Sequence, residues 1–246
     1  MSFRATFATA GRVLNQLRRD PRTIALLLFV PIVLVFLLDQ LFHGQQHAVF
    51  QRIGGPLLGM FPLIAMFLVT SITMLRERVS GTLERLMALP LAKFDILAGY
   101  GIAFALLATV QATLVSVIAF GFMGLHTEGP SWAVVLLAVS NAVLGMALGL
   151  FVSAFARTEF QAIQFMPAFI LPQILLCGLF IARGQMATWM RDLSDLLPFT
   201  YAYDALHRAT SLGLFDTRFA ADLAVTLGVT VLALALGAST LRRRTG

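Results

Sequence analysis

Long apolar runs alternate with short polar segments along this chain, and the runs are long enough to set the architecture. Six are placed at about 23–42, 56–75, 98–122, 133–155, 162–182 and 221–241. Each offers roughly the 20 apolar residues that an α-helix needs to cross a bilayer core. The expected fold class is all-α: a polytopic membrane protein with six transmembrane helices. Ahead of them, Phe3, Phe7, Ala10, Leu14 and Leu17 recur at helical spacing, with Arg4, Arg12, Arg18 and Arg19 supplying charge. That pattern predicts an amphipathic helix lying in the membrane interface, with a disordered basic tail as the alternative. Asp20-Pro21 ends it, because proline disfavours helical geometry in the residue before it. Residues 183–220 carry apolar patches (Leu193, Leu196, Leu197, Pro198, Phe199) but too many charges to cross. They are expected to form short interfacial or re-entrant helices over one end of the bundle, shielded by protein or water.

Composition points the same way. The chain has 246 residues, 59% of them hydrophobic, and a mean hydropathy of +0.86. A soluble domain is roughly 45–50% apolar. Six spans leave no room for a sizeable soluble domain. The leader before Ile24 is too long for a signal-peptide n-region, so the first run reads as a retained span. An even number of spans puts both ends on one side. Thirteen of the eighteen basic residues fall in 1–22, 76–97, 156–161 and 242–246, and five in the opposite loops. Cytoplasmic loops are the richer in Lys and Arg, so both termini are expected to be cytoplasmic. Trp132, Trp189, Tyr201 and Tyr203 fall on the other face near span ends, as an aromatic belt does. The net charge of +6 is thus split among short loops and ends, which fits membrane orientation better than nucleic-acid binding. Cys177 is the single cysteine and allows no intrachain disulfide.

One segment breaks the apolar pattern. Arg76-Glu77-Arg78-Val79-Ser80-Gly81-Thr82-Leu83-Glu84-Arg85-Leu86-Met87-Ala88-Leu89-Pro90 holds five charged residues in fifteen, against 12% for the chain. From Val79, the positions Val79, Leu83, Leu86 and Pro90 trace an apolar stripe, and Arg78, Thr82 and Arg85 a polar one. None of its charges has an opposite charge three or four residues away, the usual way for a helix to satisfy itself. These charges are therefore expected to be free for another protein or for lipid headgroups; an ordinary solvated loop is the bland alternative.

This block resembles the permease subunits of ABC-2 type transporters, whose pattern is typically E-R-E-x-G-T-L-E-x-L, then a proline-bearing turn and I-L-x-G. Here the turn is Leu89-Pro90-Leu91 and the last element is Ile96-Leu97-Ala98-Gly99. Val79 stands before Ser80-Gly81, so a third acidic position is missing, and Phe94 replaces a common basic residue. Leu197-Pro198-Phe199-Thr200-Tyr201-Ala202-Tyr203-Asp204-Ala205-Leu206 is similar to the family's extracellular P-x-x-Y-x-x-D-A-L element, with Arg208 nearby. The resemblance implies a cytoplasmic connecting helix over 1–22 and a transmembrane domain over 23–246. Within that domain it implies a coupling loop at 76–97 and a gate at 183–220, in a multi-pass protein of the cell membrane. Arg78, Gly81, Thr82, Leu83, Glu84, Arg85, Leu86 and Pro90 would meet a separate ABC ATPase dimer. Arg78, Glu84 and Arg85 would give ionic contacts, Leu83 and Leu86 apolar ones, and Gly81 close approach or a helix start. Pro198, Tyr201 and Asp204 would belong to the outer gate. A second permease chain, the same or homologous, would complete the pathway. ATP and magnesium would sit on the partner, with no cofactor in this chain.

The residues independently place ATP binding elsewhere. A P-loop needs G-x-x-x-x-G-K-[ST] to cradle phosphates, and the single lysine, Lys93, lies between Ala92 and Phe94. Glu159, Asp39, Asp192, Asp195 and Asp222 are the acids near membrane boundaries. No His joins them at metal or triad spacing, and His43 with His47 lacks an adjacent acidic third ligand. Gly145, Gly149 and Ser153 form a small-residue ridge suited to close helix packing. Gln111, Asn141, Gln164 and Gln173 either line a pathway or hydrogen-bond between helices. The resemblance implies an exporter, and the largely apolar spans with few internal charges favour a lipophilic or amphipathic cargo such as a drug. An ATP-independent secondary transporter or channel is the alternative, and it calls for intramembrane acids that the span centres lack.

Overall fold

The computed structural model describes residues 3–42, 47–88 and 93–240. Among them there is no strand. Ten α-helices follow in order: α1 (Phe3–Arg18), α2 (Pro21–Leu41), α3 (His47–Val79), α4 (Thr82–Ala88), α5 (Lys93–Gly121), α6 (Ser131–Val152), α7 (Glu159–Leu176), α8 (Thr188–Leu196), α9 (Pro198–His207) and α10 (Thr217–Ser239). Six contain stretches long and apolar enough to cross a membrane: Pro21–Leu41, Ile53–Val79, Ala98–Gly121, Ser131–Val152, Glu159–Leu176 and Thr217–Ser239. The fold is all-α and multi-pass. The boundaries shift by up to six residues from expectation, and two of the shifts bear on the site. The second span continues through Val79, so Arg76 to Val79 complete α3. The fifth ends at Leu176 rather than 182, because the chain turns at Gly178 with a φ of 106°.

α3 and α6 pack along their length at the centre of the bundle. The small-residue ridge makes this possible. A Cβ built at Gly145 would lie 2.1 Å from the Leu63 carbonyl oxygen, and one at Gly149 would lie 2.5 Å from that of Phe67. Ser153, the third member, is buried and donates to the Leu150 carbonyl at 2.6 Å. The ridge is thus a packing surface between backbones.

α1 lies against α5, and its buried face differs from the expected stripe. Thr6, Thr9, Ala10, Val13 and Leu17 are buried, while Phe3 and Phe7 are 82% and 62% exposed. Small Thr and Ala side chains face the bundle because Gly99 of α5 comes close: a Cβ there would meet Thr9 Cβ at 2.6 Å. The two phenylalanines are left for the surroundings, as suits an interfacial helix. Residues 183–220 form a single turn at Arg183–Gln185, then α8 and α9, a wide turn at Arg208–Leu212, and the start of α10.

Overpacking a tight helix contact costs about 1–3 kcal/mol. Gly145→Ala should therefore lower stability by that order. Gly101→Ala, with nothing within 4 Å of the added carbon, should not lower it. Thermal melts of the two purified variants in one detergent check the contrast.

Candidate functional site

The charged block folds as a helix end, a reversal and a short helix. The Ser80 amide donates to the Arg76 carbonyl at 2.9 Å, and the Gly81 amide to that of Arg78 at 3.3 Å, closing α3. Gly81 then takes φ +70°, a left-handed conformation that glycine reaches without strain. A Cβ at Gly81 would meet nothing within 4 Å in this chain, so what the fold itself asks of Gly81 is the reversal. α4 starts immediately after it.

The expectation of free charges does not hold for the first half of the block. Partners come from distant helices, which spacing along one helix cannot reveal. Arg76 Nε and Nη2 donate to Glu159 Oε1 and Oε2 at 2.7 and 3.0 Å, a bidentate pair with the start of α7. Arg78 Nη2 donates to Thr240 Oγ1 at 3.3 Å, at the end of α10. Glu77 is 2% exposed and accepts from Arg12 Nη1 of α1 at 3.1 Å. Arg12 Nη2 also donates to the hydroxyl of Tyr100 on α5. Burial disfavours the Arg12 cation, but Tyr100 and Glu77 outweigh it and hold its pKa above the ordinary value. One guanidinium thereby ties α1 to both helices that flank α4.

The apolar stripe is also divided. Val79 ends α3 and is 71% exposed. Leu83 on α4 is buried in a cluster with Ala10, Val13, Leu17 and Tyr100, and Leu86 packs against it. Leu83 is thus an anchor for α4 and not a surface contact. Thr82 is half-buried, and Glu84 and Arg85 are exposed. Pro90 lies outside the described residues.

At the other end of the bundle a second set of charges closes on itself. Arg183 Nη1 donates to Asp204 Oδ2 at 3.0 Å, and its Nη2 to Asp195. Tyr201 donates its hydroxyl proton to the Asp195 carbonyl at 2.6 Å. Pro198 opens α9 at its first turn, where a missing N–H costs nothing. Burial pushes the Asp204 carboxyl up, and Arg183 partly offsets it. The three residues assigned to the gate, Pro198, Tyr201 and Asp204, thus share α9, and the two polar ones are bound to 183–195. Arg208 reaches Asp216 at 2.8 Å. Asp216 in turn caps α10 by accepting from the Phe219 amide, which holds its carboxyl below the usual range.

Residues 4–209 match the family described as ABC-2 type transporter. The chain belongs to this family. It is 32% identical over 138 residues to "ABC transporter G family member 20" of Dictyostelium discoideum, covering 56% of this chain and 19% of that protein. It is 30% identical over 151 residues to "Probable multidrug ABC transporter permease YbhR" of Escherichia coli (strain K12), covering 60% and 40%. It is 22% identical over 170 residues to "Linearmycin resistance permease protein LnrN" of Bacillus subtilis (strain 168), covering 69% and 44%. The matches thus span less than half the length of each of these relatives.

Within this ABC-2 bundle the four intramembrane amides have separate environments. Pro31 of α2 has no N–H, so the Leu27 carbonyl loses its helical donor. Gln111 of α5, fully buried, supplies one instead: its Nε2 donates to Leu27 at 3.0 Å. Gln173 of α7 performs a similar service at the far end. Its Oε1 accepts from the Phe199 amide in the first turn of α9 at 3.2 Å, and its Nε2 donates to the Phe169 carbonyl. Asn141 is buried against Gly59 of α3, where an added Cβ would lie 2.4 Å from its Nδ2. Gln164 is exposed on α7. The signal for Gln111 was the proline in the first span; the partners of Arg12, Arg76 and Arg78 left none.

Two predictions follow from these contacts. Gln111→Leu should destabilise the bundle, by about 0.6–1.7 kcal/mol for a membrane hydrogen bond. Pro31→Ala restores the backbone donor, so the loss in the double variant should be smaller; a double-mutant cycle of detergent melts reads this. Arg12→Ala leaves Glu77 buried without its cation and should cost about 3–5 kcal/mol. Adding Glu77→Gln should recover part of that loss in the same melts.

Proposed function

We propose that this chain is the membrane-spanning permease subunit of an ATP-driven exporter. In this reading a separate ATPase dimer docks on α4 and its surroundings, and two permease chains face each other across the pathway. The observation that carries it is the split character of α4. One side is fastened by Leu83 to the bundle, and the other presents Glu84 and Arg85 to the surroundings. A short charged helix held this way is a rigid plug suited to a partner's groove. Beside it, a pocket of about 420 Å³ lies between the end of α3 and the connection to α7, lined by Val79, Ser80, Arg157 and Thr158 among others. It offers an apolar contact in place of Leu83. Leu86 supports α4 from within, Arg78 ties the end of α3 to Thr240, and Gly81 and Thr82 set the start of α4.

The rest of the mechanism is elementary mechanics. ATP closes the partner dimer and pushes α4. Arg12 passes the load to α3, α5 and α1 together, and the bundle shifts from inward-facing to outward-facing. The cluster of Arg183, Asp195, Tyr201 and Asp204 acts as the outer gate. Gln164, exposed on α7, meets the pathway between the two chains. The α1 and α4 end is cytoplasmic, in keeping with its share of the arginines. The cargo is lipophilic or amphipathic and drug-like, which fits spans with few internal charges. Two of the similar permeases carry multidrug or linearmycin resistance in their names.

Co-expression with candidate ATPase subunits tests the docking. Arg85→Glu should weaken association about tenfold, a loss of about 1.4 kcal/mol, while membrane insertion is unchanged. Unchanged association would remove Arg85 from the interface. Transport in liposomes by the chain alone, indifferent to ATP, would replace this reading with that of a secondary transporter or channel.

A further inference from the structure

A groove of about 540 Å³ runs between α2 and α3, within the range of about 300–1,000 Å³ typical of small-molecule sites. Leu26, Val30 and Leu34 form one wall, and Phe61, Leu68 and Ile72 part of the other. It is open along its side, since Leu26, Val30 and Leu34 are exposed. None of the four intramembrane amides lines it. Its polarity is graded. The polar lining (Gln16, Asp20, Thr23, Thr73 and Arg76) gathers at the α1 end, and the remainder is apolar. From Arg76 to Phe61 along α3 is about 22 Å at 1.5 Å per residue. One leaflet of a bilayer with its headgroups is about 20–22 Å deep.

The mouth carries one charge of each sign. Asp20 accepts at Oδ1 from the Thr23 amide and at Oδ2 from the Thr23 hydroxyl. These contacts hold its carboxyl below the usual range and so ionised. They occupy two of about four acceptor sites of a carboxylate. Arg76 gives two N–H groups to Glu159 and has five to give. A carboxylate and a guanidinium at the head of an apolar slot complement a head bearing an amine and a phosphate.

We infer that the groove binds a membrane phospholipid with a zwitterionic, amine-bearing head, its ammonium on Asp20, its phosphate on Arg76 and an acyl chain between α2 and α3. Arg18, Arg19 and Arg22, exposed beside the mouth, attract any phosphate head. Asp20 is what selects for the amine. The inference concerns the membrane-embedded chain alone and does not depend on an ATPase partner.

The test is photolabelling of the full chain in nanodiscs. The probes are phosphatidylethanolamine and phosphatidylglycerol, each with a diazirine in one acyl chain. Phosphatidylethanolamine should label peptides 26–34 and 61–72 severalfold above the exposed face of α10. Asp20→Asn removes the charge but keeps a good helix cap. It should cut phosphatidylethanolamine labelling of the groove about tenfold, the order for a hydrogen bond to a charged group, and should leave phosphatidylglycerol labelling unreduced or raised, since a like charge is removed from the mouth. Val30→Phe narrows the slot from its exposed side and should lower labelling by both. Uniform labelling of all exposed spans would overturn the site. Labelling by both lipids that ignores Asp20→Asn would overturn the head-group assignment. Crosslinking of Val30→Cys between two chains would show a second copy in the groove and overturn it as well.

Discussion

Hydrocarbon offers no water to a backbone amide or carbonyl, and that constraint governs how this bundle is assembled. Where α2 loses a donor at Pro31, a side chain from α5 must replace it, and Gln111 does so. Where α9 begins next to the spans, Gln173 from α7 accepts from its first turn. Two of the four intramembrane amides, Gln111 and Gln173, are thus spent on backbone partners in neighbouring helices. The same demand shapes the helix starts at the membrane boundary, where Asp20, Thr158 and Asp216 accept from the first turns of α2, α7 and α10.

The close contact of α3 with α6 is the other organising fact. Gly145 and Gly149 bring the α6 backbone onto the carbonyls of Leu63 and Phe67. Lipid supplies no hydrophobic drive for helices to associate, so such contacts must come from shape. A rigid α3 matters because its last turn carries Arg76, Glu77 and Arg78. Those three side chains reach α7, α1 and α10, so the position of one helix end is set from three directions.

Much of this was legible in the sequence. The spans follow from run length and the ridge from small-residue spacing, whereas the reversal at Gly81 divides a stripe that reads as one helix from Val79 to Pro90. The partners of the charged block were not legible. Spacing rules report on neighbours along one helix, and Glu77 finds its cation 65 positions away in sequence. The α1 stripe misled for a related reason: hydrophobicity picks out Phe3 and Phe7, but the bundle accepts only small side chains where Gly99 approaches. Periodicity ranks residues by their dislike of water, and in a membrane that does not separate core from lipid.

The Arg12 junction also bears on how force travels. Glu77 stands just before the reversal into α4, and Tyr100 stands on α5 beyond it. Were each held by its own partner, a displacement of α4 could relax into one flank alone. A single half-buried guanidinium holding both makes relative movement of α3 and α5 expensive, because it strands Glu77 in a site that is 2% exposed. α1, α3, α4 and α5 therefore move together or break an ion pair. The cost of burying that pair is offset only while all three partners remain in place, so the junction acts as one stiff body at the end of the bundle.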